Sequence, residues 1–219
     1  MLRIKGSWWL LLALGVSTVL PAQYTSSDWD DRDKWMKTDS LLDLVKVGPG
    51  QIVADIGCHE GYLSMHLAQN VKEQGRVYAI DIRDDRLAKL RENASKRKLK
   101  NIITILGEPD DPKLPDGALD CVFLIDTYHE ISAYKKVLNH IRKALKPGGR
   151  LLILEKLKDS IKGKSREVQV SAHSLSMFYA ENELRQAGFK IMTKIDNHGF
   201  WKNEPDKIMW VVLAQKFVQ

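Results

Sequence analysis

Ile52-Val53-Ala54-Asp55-Ile56-Gly57-Cys58-His59-Glu60-Gly61-Tyr62-Leu63-Ser64 is the stretch whose reading decides the fold. A short apolar run carries an acid near its end, then come a glycine-bearing turn and an amphipathic segment. That pattern predicts a buried strand, a tight loop and the first turn of a helix. Gly57 and Gly61 permit backbone angles closed to other residues and let a ligand approach the main chain. The N–H groups at the start of the helix are expected to face the same crevice. In an open α/β sheet, ligands dock at the carboxyl ends of the strands.

Two nucleotide-cofactor readings compete for such a loop. A dinucleotide fingerprint needs Gly-x-Gly-x-x-Gly, so that a pyrophosphate can rest on the helix N-terminus. Here the glycines stand at 57 and 61, and Asp55 precedes them. A carboxylate there works against a pyrophosphate and suits an ammonium or sulfonium group. The stretch resembles motif I of the class I S-adenosylmethionine-dependent methyltransferases, usually Asp/Glu-x-Gly-x-Gly-x-Gly, with His59 where the middle glycine is usual. That departure would narrow the cofactor pocket. The resemblance implies S-adenosylmethionine as cofactor, held by Asp55, Gly57, Cys58 and Gly61.

The elements that follow fit the same plan. Residues 62–71 carry Leu63, Leu67 and Val71 at helical spacing, and 76–81 form a second strand ending in Asp81. An acid at that strand tip can take both hydroxyls of a ribose; the resemblance adds Ile82 beside it to the cofactor-binding residues. Residues 101–106 read as the third strand, past which the resemblance implies an acid for the adenine, Glu108 with Asp110 as runner-up. The fourth strand, 119–125, leads into Asp126-Thr127-Tyr128-His129-Glu130. In the family this tip faces the transferable methyl group, and Asp126 is counted among the cofactor residues.

Methyl transfer from a sulfonium is a displacement that needs alignment and, for some nucleophiles, removal of a proton. His129, oriented by Glu130 or Asp126, is the candidate base, since an unperturbed imidazole titrates near pH ~6.5; packing or helix capping is the competing role. A metal reading of Asp126, His129 and Glu130 lacks a separated second ligand pair, and no metal is expected. A helix over 131–145 is stopped by Lys146-Pro147-Gly148-Gly149, and a fifth strand runs over 150–155. The Leu-Lys-Pro-Gly-Gly-Arg phrase is a second resemblance to small-molecule methyltransferases of this class. Residues 156–167 read as a charged, flexible loop, with His173 a weaker site candidate beyond it. A helix over 180–187 and strands over 189–195 and 207–217 follow, joined by a connection that fits an antiparallel hairpin.

The fold class expected is therefore α/β: a three-layer sandwich with a seven-stranded, mostly parallel sheet and an antiparallel last strand, a Rossmann-like methyltransferase fold. The chain of 219 residues suffices for one such domain, placed at 47–219. Residues 23–46 read as a linker and N-terminal helix, with Trp35 either a lid over the sulfonium or a packing residue. In residues 1–22, Arg3 and Lys5 precede an uncharged run from Gly6 to Leu20, which reads as a signal peptide or N-terminal anchor. Export to the periplasm, or membrane attachment through that segment, is expected ahead of a cytoplasmic location. Cys58 and Cys121 are too few for a disulfide framework and read as reduced packing residues.

The net charge of +6 brings nucleic acid into consideration. The basic helix expected over 84–100 has no interleaved aromatics and is broken by Asp84, Asp85 and Glu92, so it reads as a solvated face. The expected function is methyl transfer from S-adenosylmethionine to a small-molecule acceptor, with no nucleic-acid partner. A non-catalytic cofactor-binding module of the same fold, and an NAD(P)-dependent oxidoreductase, are the alternatives.

Overall fold

The structure, a computed structural model, describes residues 28–217. The signal or anchor expected in residues 1–22 lies outside the described residues.

Two short helices, α1 (Trp29–Met36) and α2 (Thr38–Val45), precede β1 (Ile52–Ile56) and α3 (Tyr62–Val71). Then follow β2 (Arg76–Asp81), α4 (Asp84–Lys96), β3 (Ile102–Leu106) and β4 (Leu119–Ile125). After a short 3-10 turn at Tyr128–Glu130 come α5 (Tyr134–Ala144), β5 (Leu145–Lys158), α6 (Arg166–Ser171) and α7 (Met177–Gln186). The chain closes with the hairpin β6 (Phe189–Trp201) and β7 (Glu204–Lys216).

The seven strands lie in the order β3-β2-β1-β4-β5-β7-β6. The first five are parallel, and β7 runs antiparallel to both β5 and β6. Chain order reverses between β1 and β4, so their carboxyl ends open side by side into a crevice, the switch point where such sheets take ligands. Because successive strand residues face opposite ways, the sheet builds two cores. Val53, Cys121 and Phe123 pack with Leu67, Leu87 and Leu90 beneath α3 and α4. Ala54, Val122 and Leu124 pack with Leu138, Ile141 and Leu184 beneath α5 and α7.

Three stretches differ from expectation. The acid-rich segment expected to be a linker contains α1. Its composition hides Trp29 and Met36, spaced to share one face, and both are buried. Trp35 stands edge-on to Trp201, ring centroids 4.8 Å apart, and packs α1 on the sheet. His198 Nε2 lies 2.8 Å from the Met36 carbonyl, fastening the same helix to β6. The charged segment after the fifth strand is ordered, since β5 continues to Lys158 and α6 follows; Lys156 is buried and paired with Asp126 and Glu204. The last hairpin is also longer than its apolar runs, because β6 and β7 keep pairing as far as Trp201 and Glu204. Residues 146–149 bulge within β5, where the β4–β5 register shifts between the pairs Leu119/Leu145 and Cys121/Arg150.

The loop after β1 owes its shape to sterics. Gly57 has φ +77, and a Cβ there would meet Thr127 Oγ1 at 2.3 Å. The tip of β4 therefore rests directly on the β1 loop, and glycine alone permits it. His59 holds φ +50, a left-handed conformation that costs a non-glycine residue about 1 kcal/mol. The two positions should respond oppositely in urea denaturation. Gly57→Ala is expected to lower stability by at least about 2 kcal/mol through clash and strain, and His59→Gly to raise it by about 0.5–1 kcal/mol.

Candidate functional site

The loop is closed by its own hydrogen bonds. Gly57 and Cys58 N–H groups donate to the Ile80 carbonyl at 2.8 and 3.0 Å, and Gly61 N–H donates to the Cys58 carbonyl at 2.9 Å. His59 N–H donates to Asp81 Oδ2 at 2.9 Å, and Arg83 N–H to Asp81 Oδ1 at 3.0 Å. The Gly57, Cys58, His59 and Gly61 donors are spent on β2 and on the loop itself, so fewer N–H groups remain there for a pyrophosphate. Each Asp81 oxygen keeps a further lone pair, enough for two hydroxyl donors.

Asp55 is 3% exposed and accepts from Ser64 Oγ at 2.6 Å. Burial pushes its carboxyl up to about 6, against the opposing pulls of Ser64 and of Arg32 on α1. Arg32 reaches this point because α1 is tied to α3. Tyr62 Oη donates to Asp33 Oδ1 at 2.5 Å, and the Arg32 guanidinium lies 4.2 Å over the Tyr62 ring. The thiol of Cys58 is buried, and burial together with Asp55 and Asp81 raises it well above the ordinary range, so it stays neutral and unreactive. Ile82, by contrast, is 59% exposed next to Asp81, an apolar ledge at the crevice rim.

Glu108 stands just past β3, whose tip is held to β2 by Gly107 N–H donating to the Asp81 carbonyl at 3.0 Å. Its carboxylate pairs with Lys113 at 2.7 Å, and Asp110 pairs with Lys136 at 2.9 Å. The structure thus turns both adenine candidates toward lysines.

At the β4 tip, Asp126 has φ +52 and pairs through Oδ2 with Lys156 Nζ at 3.1 Å. Its Oδ1 is buried with no hydrogen-bond partner. Burial and the neighbouring Glu155 raise this carboxyl to about 6, with Lys156 opposing. A buried acceptor without a donor marks a place for one on a ligand. The partly compensated Asp55, the orphaned Asp126 oxygen, the open lone pairs of Asp81 and the Ile82 ledge together fit a cofactor bearing an ammonium, a vicinal diol and a flat base.

His129 is oriented by a residue that local spacing did not reveal. Its backbone N–H donates to Glu155 Oε1 at 3.0 Å, and its Nδ1 lies 2.9 and 3.0 Å from the two Glu155 oxygens. Glu155 is fully buried near the end of β5. Its signal was an acid closing an apolar run, as with Asp81, but its partner lies in another strand's loop. Asp126 and Glu130 stand farther off, each 3.9 Å from a ring nitrogen of His129. Burial opposes charge on the imidazole, yet Glu155 outweighs it and the ring titrates at about 9. A ring so held keeps its proton at neutral pH and presents a donor at Nε2. His173, from beyond α6, stands edge-on to His129 with ring centroids 5.9 Å apart.

A family model described as a methyltransferase domain matches residues 48–209. A demethylmenaquinone methyltransferase of Listeria monocytogenes is 28% identical over 130 residues, 59% of this chain and 54% of that protein. A ubiquinone/menaquinone biosynthesis C-methyltransferase of Serratia proteamaculans is 32% identical over 115 residues, 52% of this chain and 46% of that protein. The chain thus matches about half the length of these curated relatives. Among solved structures, a SAM-dependent methyltransferase from Aquifex aeolicus superposes with TM-score 0.72 at 24% identity, covering 89% of this chain and all of that one. Phosphoethanolamine N-methyltransferase 2 of Haemonchus contortus, solved with S-adenosyl-L-methionine, gives 0.67 at 19% identity over 90% of this chain and 58% of that one. These likenesses establish the fold.

Burial of Asp55 has a measurable consequence. A folded-state carboxyl at about 6, above its ordinary 3.8, means the folded protein binds that proton more tightly than the unfolded chain. Stability is therefore lost as pH rises through the window between those values and stays lost above it. Asp55→Asn removes the penalty and should stabilise the protein by about 2 kcal/mol at pH 7.5, with little gain at pH 4, in urea melts.

Proposed function

Because this chain belongs to the methyltransferase-domain family, we propose that it transfers the methyl group of S-adenosylmethionine to a small-molecule acceptor at the β4 tip. The observation that carries the reading is the pairing of Asp55 and Asp81 around a loop in which the Gly57, Cys58, His59 and Gly61 N–H groups are already engaged within the protein. That arrangement favours a cation and a diol over a pyrophosphate, which separates the reading from a nicotinamide enzyme. When bound, the cofactor supplies a methyl group activated by a sulfonium.

The residues then divide the work. Asp81 accepts from the ribose hydroxyls, Ile82 lies against the adenine, and Asp55 with Asp126 Oδ1 faces the cationic methionyl end. Thr127 on Gly57 sets the distance between cofactor loop and β4 tip, which is the alignment a displacement needs. The α1 helix with Arg32 covers the cofactor side and excludes water. The acceptor class proposed is a quinone-type ring of the kind named for the demethylmenaquinone relatives. We further propose export or membrane anchoring through the basic, then uncharged, start of the chain; among the described residues no helix is long and apolar enough to cross a membrane.

Calorimetric titration of the full chain tests the cofactor contacts. Asp81→Ala is expected to weaken S-adenosylmethionine binding by about 1.5–3 kcal/mol, the value of charge-assisted hydrogen bonds. Unchanged affinity would remove the ribose assignment. Wild-type affinity should also fall as pH drops through about 6, where Asp55 takes up its proton and ceases to attract a cation. Asp55→Asn should bind weakly at every pH, and a flat wild-type profile between pH 5 and about 7.5 would count against that contact.

A further inference from the structure

His129, Glu130 and His173 each offer a ligand atom, and these atoms lie within 4.8 Å of one another. Local sequence supplies only the adjacent pair His129-Glu130, too few for a metal centre. The structure brings the third group from the far side of α6. His129 Nδ1 is engaged by Glu155, which leaves Nε2 as the atom directed at Glu130, 3.9 Å from its carboxylate.

We infer that His129, Glu130 and His173 form a binding site for a divalent transition metal of the zinc type, with Glu155 as the carboxylate behind His129.

Four observations support this assignment. First, two imidazoles and one carboxylate are a donor set that suits Zn²⁺ and leaves a coordination position open. Second, a metal-binding histidine characteristically donates its other ring N–H to a carboxylate, which fixes the ring and raises its basicity. Glu155 does this with both oxygens and is itself buried. Third, Asp126, Glu130 and Glu155 put three carboxylates around His129, while the neighbouring cations Lys156 and Lys207 are engaged with Asp126, Glu204 and the His173 carbonyl. Fourth, Glu130 and His173 are exposed, so side-chain rotation can draw the ligand atoms to the ~3.4 Å spacing that tetrahedral zinc needs.

The alternative group of Asp126, His129 and Glu155 is a poorer site. It would use the His129 nitrogen already held by Glu155, and Asp126 is paired with Lys156. The assignment does not depend on methyl transfer. In a methyltransferase, the open coordination position would take an oxygen of the acceptor.

The test is titration of the tag-free full chain, without S-adenosylmethionine, with Co²⁺ followed by visible absorption and with Zn²⁺ by calorimetry. One equivalent of either ion is expected to bind, with a tetrahedral-type cobalt spectrum. His173→Ala and Glu130→Gln should each weaken binding at least about tenfold, and Glu155→Gln by about 10–100-fold. His66→Ala and His140→Ala, at histidines beside Asp33 and Asp111, should leave affinity unchanged. The inference is overturned if neither ion binds at millimolar concentration. It is also overturned if His173→Ala keeps wild-type affinity, or if binding is lost in the His66 or His140 variants. Glu130→Gln and His173→Ala alter exposed side chains, so their effects are read on folded protein. Failure of the wild-type chain to bind either ion while it still binds S-adenosylmethionine would refute this site and leave the methyltransferase reading standing.

Discussion

The contact between Gly57 and Thr127 is the constraint on which the crevice depends. It joins the loop after β1 to the tip of β4 across the switch point of the parallel strands. Were the loop bulkier, the two tips would separate, and cofactor and acceptor sides would no longer share an edge. Asp81 completes the arrangement from the other flank by accepting both the His59 and Arg83 N–H groups. A hydrogen-bonded, sterically filled loop of this kind needs no ligand to set its shape. That is preorganisation, and it lowers the ordering cost of binding.

Two carboxylates along this edge run against the interest of stability. Asp55 and Asp126 are held above their ordinary range mainly by burial, and Asp126 has one oxygen with no partner. Glu155 is the contrasting case. Burial would raise it, but the adjoining His129 and Lys156 outweigh burial and hold it below the usual carboxylate range. A buried pair of this kind contributes little net stability, yet removing one partner leaves the other charge unpaired. Its value is orientation, since the His129 ring has both Glu155 oxygens to point its Nδ1 at.

The features legible in the sequence were those written in short stretches. Strand, glycine turn and helix at 52–64 and the acid at 81 are each settled by neighbours a few residues apart. The expected seven-stranded, mostly parallel sheet with its antiparallel strand follows from their order, and the structure has it. Features that join distant segments were not legible. α1 was hidden because an acid-rich segment with two buried apolar residues has the composition of a linker. Glu155 and His173 were hidden as partners of His129 because nothing local links strand five, or the loop beyond α6, to the tip of strand four. The carboxylate that governs the His129 ring was hidden for the same reason, since it lies 26 positions away in the chain.

The central claim is that this crevice selects a cationic, diol-bearing nucleoside over a dinucleotide. Calorimetry of the folded full chain at pH 7.5 against S-adenosylmethionine, S-adenosylhomocysteine, NAD and NADP tests it most directly. The account predicts saturable binding of the two adenosyl compounds and none of the dinucleotides. Binding of NAD or NADP, or of none of the four, would contradict it.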